Sequence, residues 1–129
     1  MTTPILADTS AWADYLRNPQ AELLPLVEAN TAATCEPVAM ELLSVTRNER
    51  EWTSIRRLLD RAPLIPFDPL ADFEGAARIR RIAASVGFSV DSVDCMILAA
   101  AARTDSALMT LDTKQAAIGR HVGLTVVSA

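Results

Sequence analysis

The chain has 129 residues, half of them hydrophobic, and a formal net charge of −4. That length and apolar content fit one domain, residues 1–129, with one core, and the negative charge excludes a general attraction to nucleic acid. No run of about 18 uncharged apolar residues is present to cross a bilayer, and Met1-Thr2-Thr3-Pro4 lacks the basic and apolar regions of a signal peptide, so a cytoplasmic protein is expected. Cys35 and Cys95 sit singly in apolar segments and read as small buried hydrophobes. The cationic side chains are almost all arginine, a residue suited to bidentate phosphate contact, with Lys114 the only lysine.

In chain order, the first strand covers Ile5–Ala7. Residues 12–17 and 21–28 then read as two helices on either side of an Asn18-Pro19 breaker. Residues 32–35 form a second short strand. Glu36-Pro37 opens a helix to about Thr46, since proline suits the first helical turn. A further helix covers 49–61, with Trp52, Ile55, Leu58 and Leu59 at helical spacing. Residues 64–67 are expected as a third strand near an edge, because Pro66 cannot donate to a ladder. Asp68-Pro69 starts a long helix to about Val86, closed by Gly87. A helix over 91–104, a fourth strand over 107–111, a short helix over 113–120 and a last strand over 124–127 complete the chain.

Strands separated by helices imply a parallel sheet with helices on both faces. In such sheets ligands bind beyond the carboxyl ends of the strands, where strand order reverses. Asp8, in "ILADTSAW", lies just past the first strand, and Asp112, in "ALMTLD", just past the fourth. Glu41, in "CEPVAMELL", sits among apolar residues, where an ionised glutamate is costly without a partner or a wet cleft. Asp94, in "VDSVDCMILAAAA", occupies the first turn of a helix apolar nearly all round, whose N-terminus would point to the same edge.

Each acid also has a local explanation. Asp8 and Asp112 can cap the helices that follow them, and Asp91-x-x-Asp94 resembles a capping box. Glu41 fits a cap poorly and would otherwise pair with a buried arginine. Four carboxylates gathered together would repel and stay partly protonated, and a divalent cation relieves that. With oxygen ligands only, the choice is a hard cation, Mg²⁺ or Mn²⁺. His121, the lone histidine, reads as structural or surface, and no phosphate-binding glycine loop of the GxxxxGK[ST] or GxGxxG type is present.

The segments "ILADTSAW", "CEPVAMELL", "SVDCMILAAAA" and "ALMTLD" occur in the order and spacing of PIN-domain ribonucleases. The chain most resembles the VapC-type toxins of toxin–antitoxin systems, over nearly its whole length. The resemblance implies an α/β fold, a three-layer α/β/α sandwich with a parallel five-stranded sheet, and metal-dependent endoribonuclease activity. It carries the family's acids onto Asp8, Glu41, Asp94 and Asp112, with Asp8, Asp94 and Asp112 as direct or water-mediated Mg²⁺ or Mn²⁺ ligands and Glu41 as the holder or base of a water. It further implies an RNA substrate, a homodimer, and a cognate antitoxin whose C-terminal segment covers the acidic cleft. Asp91 has no family counterpart. The chain departs from the pattern two residues after Asp112, where Lys114 replaces a frequent acid, and Gln115 stands where an aromatic is usual.

Ser10 and Thr110 are candidate hydrogen-bond donors to acid or phosphate, and Arg17 is a candidate RNA contact. Two other functions compete. A degenerate fold of this type would hold antitoxin or RNA without cutting. An aspartate-nucleophile phosphatase would use Asp8, although such enzymes want a second aspartate where this chain has Ser10.

Overall fold

The apolar run Ile5–Ala7 forms the central strand β1, and the chain reverses at once into helix α1, Thr9–Arg17, because the Asp8 carboxylate caps it by accepting from Ala11 N at 3.1 Å. This computed structural model describes residues 3–18 and 20–128; Met1-Thr2 of the N-terminal segment and Pro19 of the expected breaker lie outside them. Helix α2 covers Leu24–Glu28, shorter than expected, since residues 21–23 are spent in turns. Strand β2, Ala32–Ala33, leads into α3, Glu36–Ser44, with Pro37 in its first turn, and α4 follows over Glu49–Arg61 under an Asn48 cap. Helix α5, Pro69–Ser85, runs along α6, Ser92–Arg103. Strand β3, Ala107–Thr110, helix α7, Thr113–His121, and strand β4, Val126–Ser128, end the chain.

All strand pairs are parallel, in the order β2-β1-β3-β4, with Leu6 opposite Ala33 on one side and Leu108 on the other. The chain leaves β1 for β2 and returns on the opposite side as β3. Strand order therefore reverses between β1 and β3, and their carboxyl ends frame the crevice in which open α/β sheets bind ligands.

The described sheet has four strands where five were expected. Residues 64–67 make only a single parallel bridge, Leu64 to Thr34. Proline removes the donor a ladder needs, and this segment is bracketed by Pro63 and interrupted by Pro66. What remains is Thr34 N donating to Pro63 O at 2.9 Å and Ile65 N donating to Thr34 O at 2.8 Å, after which Phe67 N turns away to Glu36 Oε1.

The core is built from β1, β3 and the apolar length of α6, where Ile97, Leu98, Ala100 and Ala101 are fully buried. Gly75 allows α5 to approach α6, since a Cβ there would stand 3.2 Å from the Ala99 methyl carbon. Gly87 closes α5 as expected, at φ +90°, with Phe88 N returning to Ala83 O and Gly87 N to Ala84 O. Trp12 is buried and donates its Nε1–H to Ala33 O at 3.2 Å, fastening α1 to β2. Trp52 is largely exposed, whereas Leu59 on the same helix enters the core. Both cysteines are free and buried, in agreement with their apolar settings. No described helix is long and apolar enough to cross a membrane.

Candidate active site

Four of the singled-out acids lie on the edge formed by the carboxyl ends of β1 and β3. Asp8 directly follows β1 and is almost fully buried, at 3% exposure. Burial of a carboxylate demands donors, and three reach it. Ala11 N and Ser10 Oγ (2.6 Å) donate to Oδ1, and Thr110 Oγ1 donates to Oδ2 at 2.5 Å. Ser10 Oγ in turn accepts from Leu111 N, and Thr110 Oγ1 accepts from Asp112 N, both at 3.0 Å. The two hydroxyls thus tie Asp8 to the end of β3, where Asp112 caps α7 by accepting from Lys114 N and Gln115 N.

Glu41 approaches from the second turn of α3 and accepts from Thr9 Oγ1 at 2.5 Å. That hydroxyl places Glu41 one residue from Asp8 along the network. Asp94 sits in the first turn of α6, with its backbone N–H held by the Asp91 carboxylate at 2.9 Å. Its own carboxyl is half-buried and pushed up to about 6, by burial first and then by the charges of Asp91, Glu41, Asp112 and Asp8. The edge is therefore acidic, with Asp8 and Asp112 after the strand ends, Glu41 bonded to Thr9, and Asp94 in the first turn of α6. Among the described residues, no group of three or more His, Cys, Asp or Glu side chains stands close enough, as placed, to hold a metal ion.

The donor set fits a hard cation. The cleft offers carboxylate oxygens, His121 lies at the far end of α7, and the Cys35 thiol, buried beneath, is pushed up to about 12 and is no thiolate. Mg²⁺ keeps several waters, so an open arrangement of acids suits it better than a closed cage.

Other candidates fall differently. Asp91 is a cap, with the outward half of the expected box formed. Lys114 extends its Nζ to Ser89 O at 2.8 Å, so its charge is fastened to the loop before α6. Arg17 occupies the last turn of α1, whereas Asp8 is its N-cap, about 14 Å away along the helix. Two participants escaped sequence reasoning. Thr9 was hidden by its neighbours Ser10 and Asp8, although a first-turn hydroxyl beside a capping acid was a usable signal. Gln115, only 1% exposed, donates Nε2–H to Asp94 O at 3.1 Å; its position three residues after a capping aspartate was the available clue.

The sequence matches the PIN domain family over residues 5–121. It is 36% identical over 131 aligned positions to Ribonuclease VapC11 of Mycobacterium tuberculosis H37Rv, covering 96% of this chain and 98% of that one. Among solved structures, the fold is similar to DNA-bound VapBC from Salmonella typhimurium, with a TM-score of 0.84, 18% identity and 98% of both chains covered. It is also similar to a toxin–antitoxin complex from Klebsiella pneumoniae, with a TM-score of 0.73, 21% identity and 95% of both chains covered.

Proposed function

This chain belongs to the PIN-domain family, and from that premise we propose that it is a metal-dependent endoribonuclease acting as the toxin of a toxin–antitoxin pair. The observation that carries the proposal is the hydroxyl network at the β1/β3 switch point, where Ser10 and Thr110 hold the Asp8 carboxylate, Thr110 also holds the main chain of Asp112, and Thr9 holds Glu41. The 36% identity to a named VapC ribonuclease supports the choice of reaction.

Asp8, Asp94 and Asp112 would hold Mg²⁺ or Mn²⁺. Such an ion supplies positive charge to a non-bridging phosphate oxygen and lowers the pKa of water. The chain's own groups do the rest. Ser10 and Thr110 fix the Asp8 carboxylate from both oxygens, so it needs no reorganisation when substrate arrives. Thr9 occupies Glu41 Oε1, leaving Oε2 to take the proton of the attacking water as general base. RNA binding depends on local arginines and on salt, since the net charge repels phosphate. The protein is cytoplasmic and homodimeric, and the C-terminal segment of a cognate antitoxin covers the cleft. The similarity to a toxin–antitoxin complex supports that partner.

Neither rival gains from the geometry. Lys114 is engaged with Ser89 O and does not neutralise the acids, which removes the main reason to expect a non-cutting module. Ser10, at the place of a phosphatase's second aspartate, has no acid to offer and is committed to Asp8 and Leu111.

The test is cleavage of structured RNA by the purified protein. Cutting should require Mg²⁺ or Mn²⁺ and stop with chelator. Asp8→Asn should slow it by about 10²–10³-fold, the scale for losing a transition-state charge stabiliser, with the melting temperature retained. A variant that cuts as fast as its parent would show that the site is misassigned.

A further inference from the structure

Helix α7 begins with Asp112-Thr113-Lys114-Gln115, the spacing of a capping box. In such a box the fourth residue's side chain returns to the cap's own backbone N–H. Here that N–H is taken by Thr110 Oγ1 at 3.0 Å. Gln115 is thereby released, and its amide crosses to α6 to donate Nε2–H to the backbone carbonyl of Asp94 at 3.1 Å. Its backbone N–H meanwhile donates to the Asp112 carboxylate at 3.2 Å. One buried residue therefore holds Asp112 by its main chain and Asp94 by its side chain.

Stability alone does not call for a glutamine at this place. Gln115 is 1% exposed, and its Oε1 is buried without a hydrogen-bond partner among the described residues. A buried unsatisfied acceptor costs free energy that an apolar side chain of similar length would not. What an apolar residue would forfeit is the bond to Asp94 O. Lys114 reinforces the same junction through Ser89 O, so two consecutive residues of α7 clasp the approach to α6.

We propose that Gln115 is a positioning residue of the acidic cleft: it sets the separation of the Asp94 and Asp112 carboxylates and thereby their joint affinity for a divalent cation. The proposal rests on the nuclease reading above. Gln115 touches neither substrate nor ion; it acts through the Asp94 main chain. In other metal sites, groups that orient the ligands are worth about 10–100-fold in metal affinity or activity.

The experiment compares the parent with Gln115→Leu and Gln115→Met, both of which keep the volume and lose the donor. Mn²⁺ affinity is measured on the RNA-free protein by electron paramagnetic resonance, and the Mg²⁺ dependence of RNA cleavage separately. Mn²⁺ affinity is expected to fall about 10-fold. The half-saturating Mg²⁺ should rise in step, the rate at saturating Mg²⁺ should change far less, and the melting temperature in chelator should stay level or rise. Met follows the native path of the glutamine stem, so it serves if Leu does not fold. Parent-like Mn²⁺ affinity in either folded variant overturns the proposal while leaving the nuclease reading intact. A parent protein that neither binds Mn²⁺ nor cuts RNA brings down both.

Discussion

Two buried or half-buried aspartates at opposite ends of the α5–α6 pair have opposite fates. Asp72, in the first turn of α5, is 1% exposed and fully compensated within the chain. Arg103 Nε, at the end of α6, donates to both its oxygens at 2.9 and 3.1 Å, and Asp68 N donates to Oδ2 at 2.8 Å. The same guanidinium reaches Pro66 O, locking the segment that fails to become a strand, and the pairing holds Arg103 above its ordinary pKa. Asp94, at the other end of α6, faces carboxylates instead, and its pKa rises to about 6. The contrast sets an acid answered inside the chain beside one that the proposed function makes a cation ligand. The first has its countercharge built into the fold, and on the proposed reading the second would take it from a bound cation.

The comparison breaks most visibly at Arg103. Arg103→Met strands a buried carboxylate and should cost about 3 kcal/mol in urea unfolding. Adding Asp72→Leu should restore most of that, because a well-packed apolar pair replaces a buried ion pair at little loss. A cost below about 0.5 kcal/mol, as for an exposed pair, would mean that Asp72 is not held as described. RNA cleavage per folded molecule should not change.

A smaller effect sharpens the other side. Folding raises the Asp94 pKa from 3.8 to about 6, so the folded chain binds this proton more tightly than the unfolded one. The contribution to stability is full below the unfolded value and is lost as pH rises through 6. Without metal, Asp94→Asn should therefore melt above its parent at pH 8 by about 3 °C and level with it near pH 4. The carboxyl is half-exposed, and solvent screening keeps the gain modest. Mn²⁺ at pH 8 should raise the melting temperature of the parent and not of Asp94→Asn. Equal melting at both pH values would show that Asp94 carries no such burden.

The smallest effect concerns the buried thiol at the N-cap of α3. Burial above all, and then the charges of Glu36, Asp72 and Glu41, push the Cys35 thiol up to about 12. Alkylation followed by mass spectrometry should leave Cys35 unmodified at pH 8 until the chain is unfolded. Prompt labelling of the native protein would show that Cys35 is not buried as described.

The legible parts of the molecule were those governed by neighbours in sequence. Asp68-Pro69 and Gly87 marked both ends of α5, and the helical spacing of Trp52, Ile55, Leu58 and Leu59 marked α4. Asp8 and Asp112 were visible because a polar residue directly after an apolar strand falls on the ligand edge of a parallel sheet. Residues 64–67 misled because their apolar composition suits a strand, while Pro63 and Pro66 withhold the donors that a ladder consumes. Thr9 and Gln115 carried only local clues, a hydroxyl beside one capping acid and an amide three residues after another, and neither clue names the distant partner.

By itself, then, the amino-acid order determined the alternation of elements, the helix caps and the positions of the acids along the chain. These follow from hydrogen bonding and side-chain periodicity acting over a few residues. Tertiary structure alone decided which charges would be answered. Arg103 meets Asp72 across 31 positions and Gln115 meets Asp94 across 21, and no local rule selects among distant partners. Burial makes the choice, because taking a charge or an amide out of water is tolerable only where the fold brings a complementary group.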